Sequence, residues 1–93
     1  MTTVTFEKDI EFTHGSNHKG GTLIEELQGA KNGFSMGVSY YDSEEYGAPG
    51  VHDDQEGFYV LEGSGKALIG EKEIDISPGA SFIAAAGMPH SIK

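Results

Sequence analysis

Glycine punctuates this chain from one end to the other. Fourteen of the 93 residues are glycine, and they separate short segments rich in β-branched and aromatic residues instead of gathering in one linker. Such spacing leaves little room for long helices and predicts an all-β domain built from short antiparallel strands. Strands are expected over residues 3–7, 10–13, 21–28, 33–41, 57–62, 65–69, 72–76, 80–84 and 89–92. Gly63-Ser64 reads as a hairpin joining segments 57–62 and 65–69, and Gly70-Glu71 as a second tight turn into Lys72. Residues 25–28 carry a hint of a helical turn. No internal repeat, low-complexity tract or linker interrupts the pattern, so residues 1–93 are expected to form a single domain. At this length folding buries only about 60 to 65 per cent of the extended chain's surface, so the core is modest.

Composition narrows the chemistry. There is no cysteine, which removes disulfides, thiolate ligands and nucleophilic thiols, and leaves His, Asp and Glu as the good metal ligands. Fifteen acidic side chains stand against six lysines and no arginine, a formal net charge of -9. Nucleic-acid binding needs clustered cations to displace counterions from phosphate, and the lysines here are scattered. An anionic membrane surface is disfavoured for the same reason. The amino terminus has neither a basic start nor an apolar run, and no window approaches a membrane span, so a cytoplasmic location is expected. Gly63-Ser64-Gly65 lacks the following Lys-Ser or Lys-Thr pair of a phosphate loop and reads as a turn.

The informative chemistry lies in the second half. His52 and Glu56 precede the run Tyr59-Val60-Leu61-Glu62-Gly63, and Pro78-Gly79, Ser81-Phe82-Ile83, Gly87 and Pro89-His90 follow. Two imidazoles and a carboxylate on neighbouring strands suit Fe, Mn, Ni or Zn as the divalent ion, with water in the open positions. The acidic run Asp42, Glu44, Glu45, Asp53, Asp54 and Glu56 is explained mostly by solubility, with some local enrichment of cations.

These stretches, about 47–63 and 78–90, resemble the two motifs of the cupin superfamily, small β-barrels of the jelly-roll type. Anchoring the first motif's last glycine on Gly63 places its glutamate on Glu56, its second histidine on His52 and its first histidine on Gly50. The resemblance implies a cupin barrel with His52, Glu56 and His90 as metal ligands in its mouth. It also implies a four-donor set, and Gly50 leaves that set one donor short. Three readings follow: a three-ligand centre with extra open positions; a centre completed by Asp54, His14 or His18; or a degenerate, metal-free site. His14 and His18 fall in what reads as a polar loop.

Period-two alternation turns Phe58 and Val60 to the face that carries Glu56, and Met36, Met88 and Tyr40 are further candidates for the pocket wall. Two function classes remain: a small metal-dependent enzyme, for which the resemblance admits dioxygenase, isomerase, lyase or decarboxylase chemistry, or a non-catalytic, even metal-free, module that binds or senses a small organic molecule. Substrate and reaction are not legible. The chain stops three residues after His90, so the N-terminal strands or a second copy are expected to cover that edge, and a homodimer is expected.

Overall fold

The computed structural model describes residues 4–15 and 17–93, and all of its strand pairings are antiparallel. Its backbone falls into two compact units, residues 1–42 and 43–93. In the first, β1 (Thr13–His14), β2 (His18–Ile24) and β3 (Met36–Tyr41) form a sheet in that order. The Lys19 ammonium lies over the rings of Phe12 and Tyr40, at 4.8 and 5.1 Å from their centroids, while the Tyr40 hydroxyl donates to Glu7. His18 stacks on Tyr41 across the β2–β3 pair, at 5.0 Å between centroids.

The second unit contains β4 (Glu56–Tyr59), β5 (Gly65–Ile69), β6 (Lys72–Ile76), β7 (Ser81–Ala84) and β8 (His90–Ile92). β4 pairs with β7, and β5 lies between β6 and β8. Among the described residues the strands form three hydrogen-bonded sheets, which are not closed into one barrel ladder. β5 is the central strand of its sheet, which accounts for its near-continuous apolar run Ala67-Leu68-Ile69. Ala67, Ile76 and Ile92 form the buried cluster, with Phe58, Val60, Ile69, Ile74, Ala80 and Phe82 packed against it. Phe58 and Phe82 face each other directly across β4 and β7 and stack at 4.7 Å, a pair worth about 0.5–1.5 kcal/mol beyond the area it buries.

Local chemistry explains where the strands differ from expectation. β5 and β6 have the expected bounds, joined by Gly70-Glu71, with Gly70 at φ 61° as a primed two-residue turn requires. The expected hairpin through Gly63-Ser64 does not form, because β4 takes β7 as its partner and not β5. Residues 4–6 are not a strand, and a 3₁₀ turn occupies Glu7–Asp9; residue 3 lies outside the described residues. Only Thr13 of segment 10–13 joins a ladder. β2 starts earlier than expected and ends at Ile24, where the Glu25 amide donates to the Gln28 side chain (3.0 Å) and a 3₁₀ turn runs over Glu26–Gln28. Positive φ at Asn32 and Gly33 holds that stretch as a turn and delays β3 to Met36. β4 ends at Tyr59, although the backbone of Val60 still bonds with Ala80 and Gly79. Among the described residues no helix is long and apolar enough to cross a membrane.

Candidate metal centre

His52, Glu56 and His90 come together in the second unit, each offering a ligand atom within 4.8 Å of the others. Glu56 opens β4, where alternating burial turns it to the same less exposed face as Phe58. His90 opens β8, and its backbone is pinned in both directions to Gly50: Gly50 N–H donates to His90 O at 2.8 Å, and His90 N–H donates to Gly50 O at 3.0 Å. His52 lies in the segment before β4, held by a 2.8 Å bond from the Gly87 N–H to its carbonyl. Chain segments far apart in sequence are thus tied by main-chain bonds at the positions that carry the imidazoles.

The protonation pattern follows from the partners. His52 Nδ1 lies 3.0 Å from the Asp54 carbonyl oxygen, and His90 Nδ1 lies 3.0 Å from the Met88 carbonyl oxygen. A carbonyl only accepts, so each Nδ1 is a donor, and in a neutral ring each Nε2 carries the free lone pair. Those two nitrogens face the same Glu56 oxygen, Oε1, at 3.0 and 3.3 Å. Two lone pairs directed at a carboxylate oxygen are three acceptors in one place, and a cation, either a proton or a metal ion, reconciles them. The Asp54 carboxylate, 2.9 Å from His52 Nδ1, supports the ring from the side opposite Nε2. The Asp54 carbonyl bond foremost, and Glu56 as well, hold the His52 pKa above its ordinary value against the opposing pull of desolvation.

The centre is graded from inside to outside. His90 has only 11% of its side chain exposed, whereas His52 and Glu56 have 40% and 44%. Phe58 stands edge-on to His90 at 5.8 Å, and the two imidazoles meet edge-to-face at 5.0 Å. Val60 packs on the apolar cluster, and the Met88 side chain lies beside Gly70. Met36 and Tyr40 lie in the first unit, on β3. His14 and His18 also lie there, in paired strands and not in a polar loop: His14 is opposite Lys19, and His18 O accepts from Gly15 N–H at 2.7 Å. Ser16, between them, is outside the described residues. The Asp54 carboxylate lies against His52 Nδ1, whereas Glu56 faces Nε2 of the same ring.

Position 50 answers the spacing argument geometrically. A Cβ built on Gly50 lies 3.3 Å from His90 Nε2 and farther from the other ring atoms, so a side chain there starts at the nitrogen that faces Glu56. The supporting Met88 carbonyl had no signature in the sequence, since every residue type carries a carbonyl. Pro89 and Gly87, which bends at φ 77°, are the local signals of the turn that aims it.

Comparison with curated proteins finds none that matches this sequence. Among solved structures, the fold is similar to a 1.2 Å structure of the polyketide cyclase RemF from Streptomyces resistomycificus, with a TM-score of 0.82 at 20% identity. The likeness covers 99% of this chain and 69% of that one. A family model described as Cupin domain matches residues 38–93, a stretch that contains Gly50, His52, Glu56 and His90. With more than half of its length matched and an antiparallel all-β structure to go with it, this chain belongs to the cupin family.

Proposed function

We propose that this cupin binds a divalent metal ion through His52 Nε2, His90 Nε2 and a Glu56 oxygen, and that the centre binds or transforms a small organic molecule. The observation that carries the reading is the pair of Nδ1–H donors to backbone carbonyls, which turn both Nε2 lone pairs onto one carboxylate oxygen. Metal-ligating histidines are held in this way, with the far nitrogen donating to a carbonyl or carboxylate that fixes the tautomer. The donor set suits Fe(II), Mn(II), Ni(II) or Zn(II), and a bound ion would supply Lewis acidity to a coordinated oxygen. Around it, His90 and Phe58 form the drier wall, while His52 and Glu56 border solvent. The likeness to a polyketide cyclase is one of fold and supports a small-molecule cupin without specifying a reaction.

The deciding measurement is isothermal titration with Mn(II) and Ni(II). His90→Ala removes one of three donors, so affinity should fall about 100-fold or more, exceeding the 10 to 100-fold effects of merely supporting groups. His18→Ala should bind like the unaltered protein, and circular dichroism should show both variants folded. Unchanged binding by folded His90→Ala would refute the ligand assignment. A second reading, a metal-free binding module, is favoured by the direct contacts of both imidazoles with Glu56, which hold the cluster together when protonated. A protein that stays apo in excess Fe(II), Mn(II), Ni(II) and Zn(II) would decide for it.

A further inference from the structure

The turn that leads into β3 carries chemistry unrelated to the histidine cluster. Lys31, Asn32, Gly33 and Phe34 are all exposed, and Asn32 and Gly33 both have positive φ, 60° and 77°, as a primed two-residue turn requires. Phe34 N–H closes the turn on Lys31 O at 3.3 Å, longer than the usual N–H···O range of about 2.7–3.2 Å. A turn closed by a long, solvent-exposed bond opens at little cost in free energy. Gly33 has no β-carbon to crowd its amide nitrogen, and the place a Cβ would take has no heavy atom within 4 Å.

We propose that Asn32 is a modification site, at which the chain converts its own asparagine to aspartate and isoaspartate through a cyclic imide. The Gly33 amide nitrogen gives up its proton to hydroxide and attacks Asn32 Cγ. The new N–Cγ bond closes a five-membered ring; the Cγ–Nδ2 bond breaks, and Nδ2 takes a proton from water and leaves as ammonia. Water then opens the ring at either carbonyl. Cleavage of N–Cγ leaves aspartate, whereas cleavage between Gly33 N and the Asn32 main-chain carbonyl carbon leaves isoaspartate, with the backbone routed through the side chain. Either product adds a negative charge to a chain that already carries a formal charge of -9. Isoaspartate also lengthens the backbone by one carbon, which a two-residue turn does not accommodate, so the bond between Phe34 and Lys31 is lost with it. The chain has one other asparagine, Asn17. There the next residue, His18, bears a side chain and opens β2, and its Nδ1 lies 3.2 Å from the Asn17 side-chain oxygen. Both features oppose ring closure.

The test incubates the whole folded chain in mildly alkaline buffer made with heavy-oxygen water, followed by peptide mapping with mass spectrometry and an enzymatic assay for isoaspartate. The Asn32 amide should be lost with uptake of heavy oxygen, isoaspartate should be among the products, and Asn17 should be retained. Loss should quicken as pH rises, because the attacking nitrogen must first lose its proton. In Asn32→Gln ring closure would need a six-membered ring, so the amide at that position should persist. Loss of the Asn32 amide in urea-unfolded chain but not in folded chain would overturn the proposal, since the turn would then protect the residue. Aspartate without isoaspartate would overturn the cyclic route, and equal loss at Asn17 and Asn32 would overturn the role of the turn.

Discussion

His52 is the residue at which a proton and the proposed metal ion would compete. Its imidazole is held above its ordinary pKa by the Asp54 carbonyl and by Glu56, so the folded metal-free protein takes up a proton there more readily than the unfolded chain. That contribution to stability is fully present below the unfolded pKa of about 6.5 and fades as pH rises through the higher folded value. Metal binding needs Nε2 free and has the opposite sign, weakening as pH falls through the same folded value. Thermal melts at pH 6 and pH 8 should therefore shift in opposite directions with and without saturating Mn(II). Parallel shifts would show that His52 does not ligate. That His52, Glu56 and His90 come together was legible because three side chains fit one spacing. The main-chain groups that aim the imidazoles were not, because a carbonyl leaves no mark on residue type.

Among the elements, the Ser43–Gly50 segment is fastened to β6 by Tyr46, whose hydroxyl donates to Glu73 at 2.7 Å while the Lys93 ammonium lies over its ring. Desolvation, the hydrogen bond to Glu73 and the nearby negative charges of Glu73 and Asp75 push the Tyr46 pKa up to about 12. The neutral phenol is thus favoured by the fold, a contribution present below the unfolded pKa of about 10 and lost as pH rises toward 12. Absorbance titration at alkaline pH should show one tyrosine ionising late, and Glu73→Gln should bring that ionisation earlier. If the titration curve of Glu73→Gln overlays that of the unaltered protein, Glu73 is not the cause. Strand positions follow a similar division between local and distant causes. β5 and β6 were legible to the residue because Gly70-Glu71 is a local turn signal between two apolar runs. The partner of β4 was not, since the Phe58–Phe82 register joins residues 24 positions apart and glycine and serine at 63–64 look the same in a hairpin as in a connection. Near the amino terminus, Val4 and Phe6 supplied strand-like composition, yet no ladder forms over the described residues 4–6.

For the molecule as a whole, a light core meets a heavy charge. Only Ala67, Ile76, Ala84 and Ile92 are buried apolar residues among those described, and no large side chain is fully enclosed. A net charge of -9 on 93 residues adds self-repulsion that little packing offsets. The Lys66 pairs with Asp75 (2.7 Å) and Glu73 (3.8 Å) are solvent-exposed, screened by water and salt, and contribute little. Raising NaCl shortens the screening length from about 10 Å at 0.1 M to about 3 Å at 1 M, which relieves the repulsion more than it weakens those pairs. Melting temperature should therefore rise with salt, each kcal/mol gained appearing as about 4–8 °C in a domain of this size. A fall would mean that attractive pairs dominate. The backbone bridge at Gly50 has one more consequence, for heredity. Every glycine codon lies a single base from a codon for aspartate or glutamate, whereas histidine is more distant, and the φ at this position is open to other residues, with a Cβ in close contact with His90 Nε2 at 3.3 Å. An ordinary point mutation is therefore enough to bring a carboxylate beside His90 Nε2, where in the proposed metal centre it would stand as the fourth donor that the spacing leaves out.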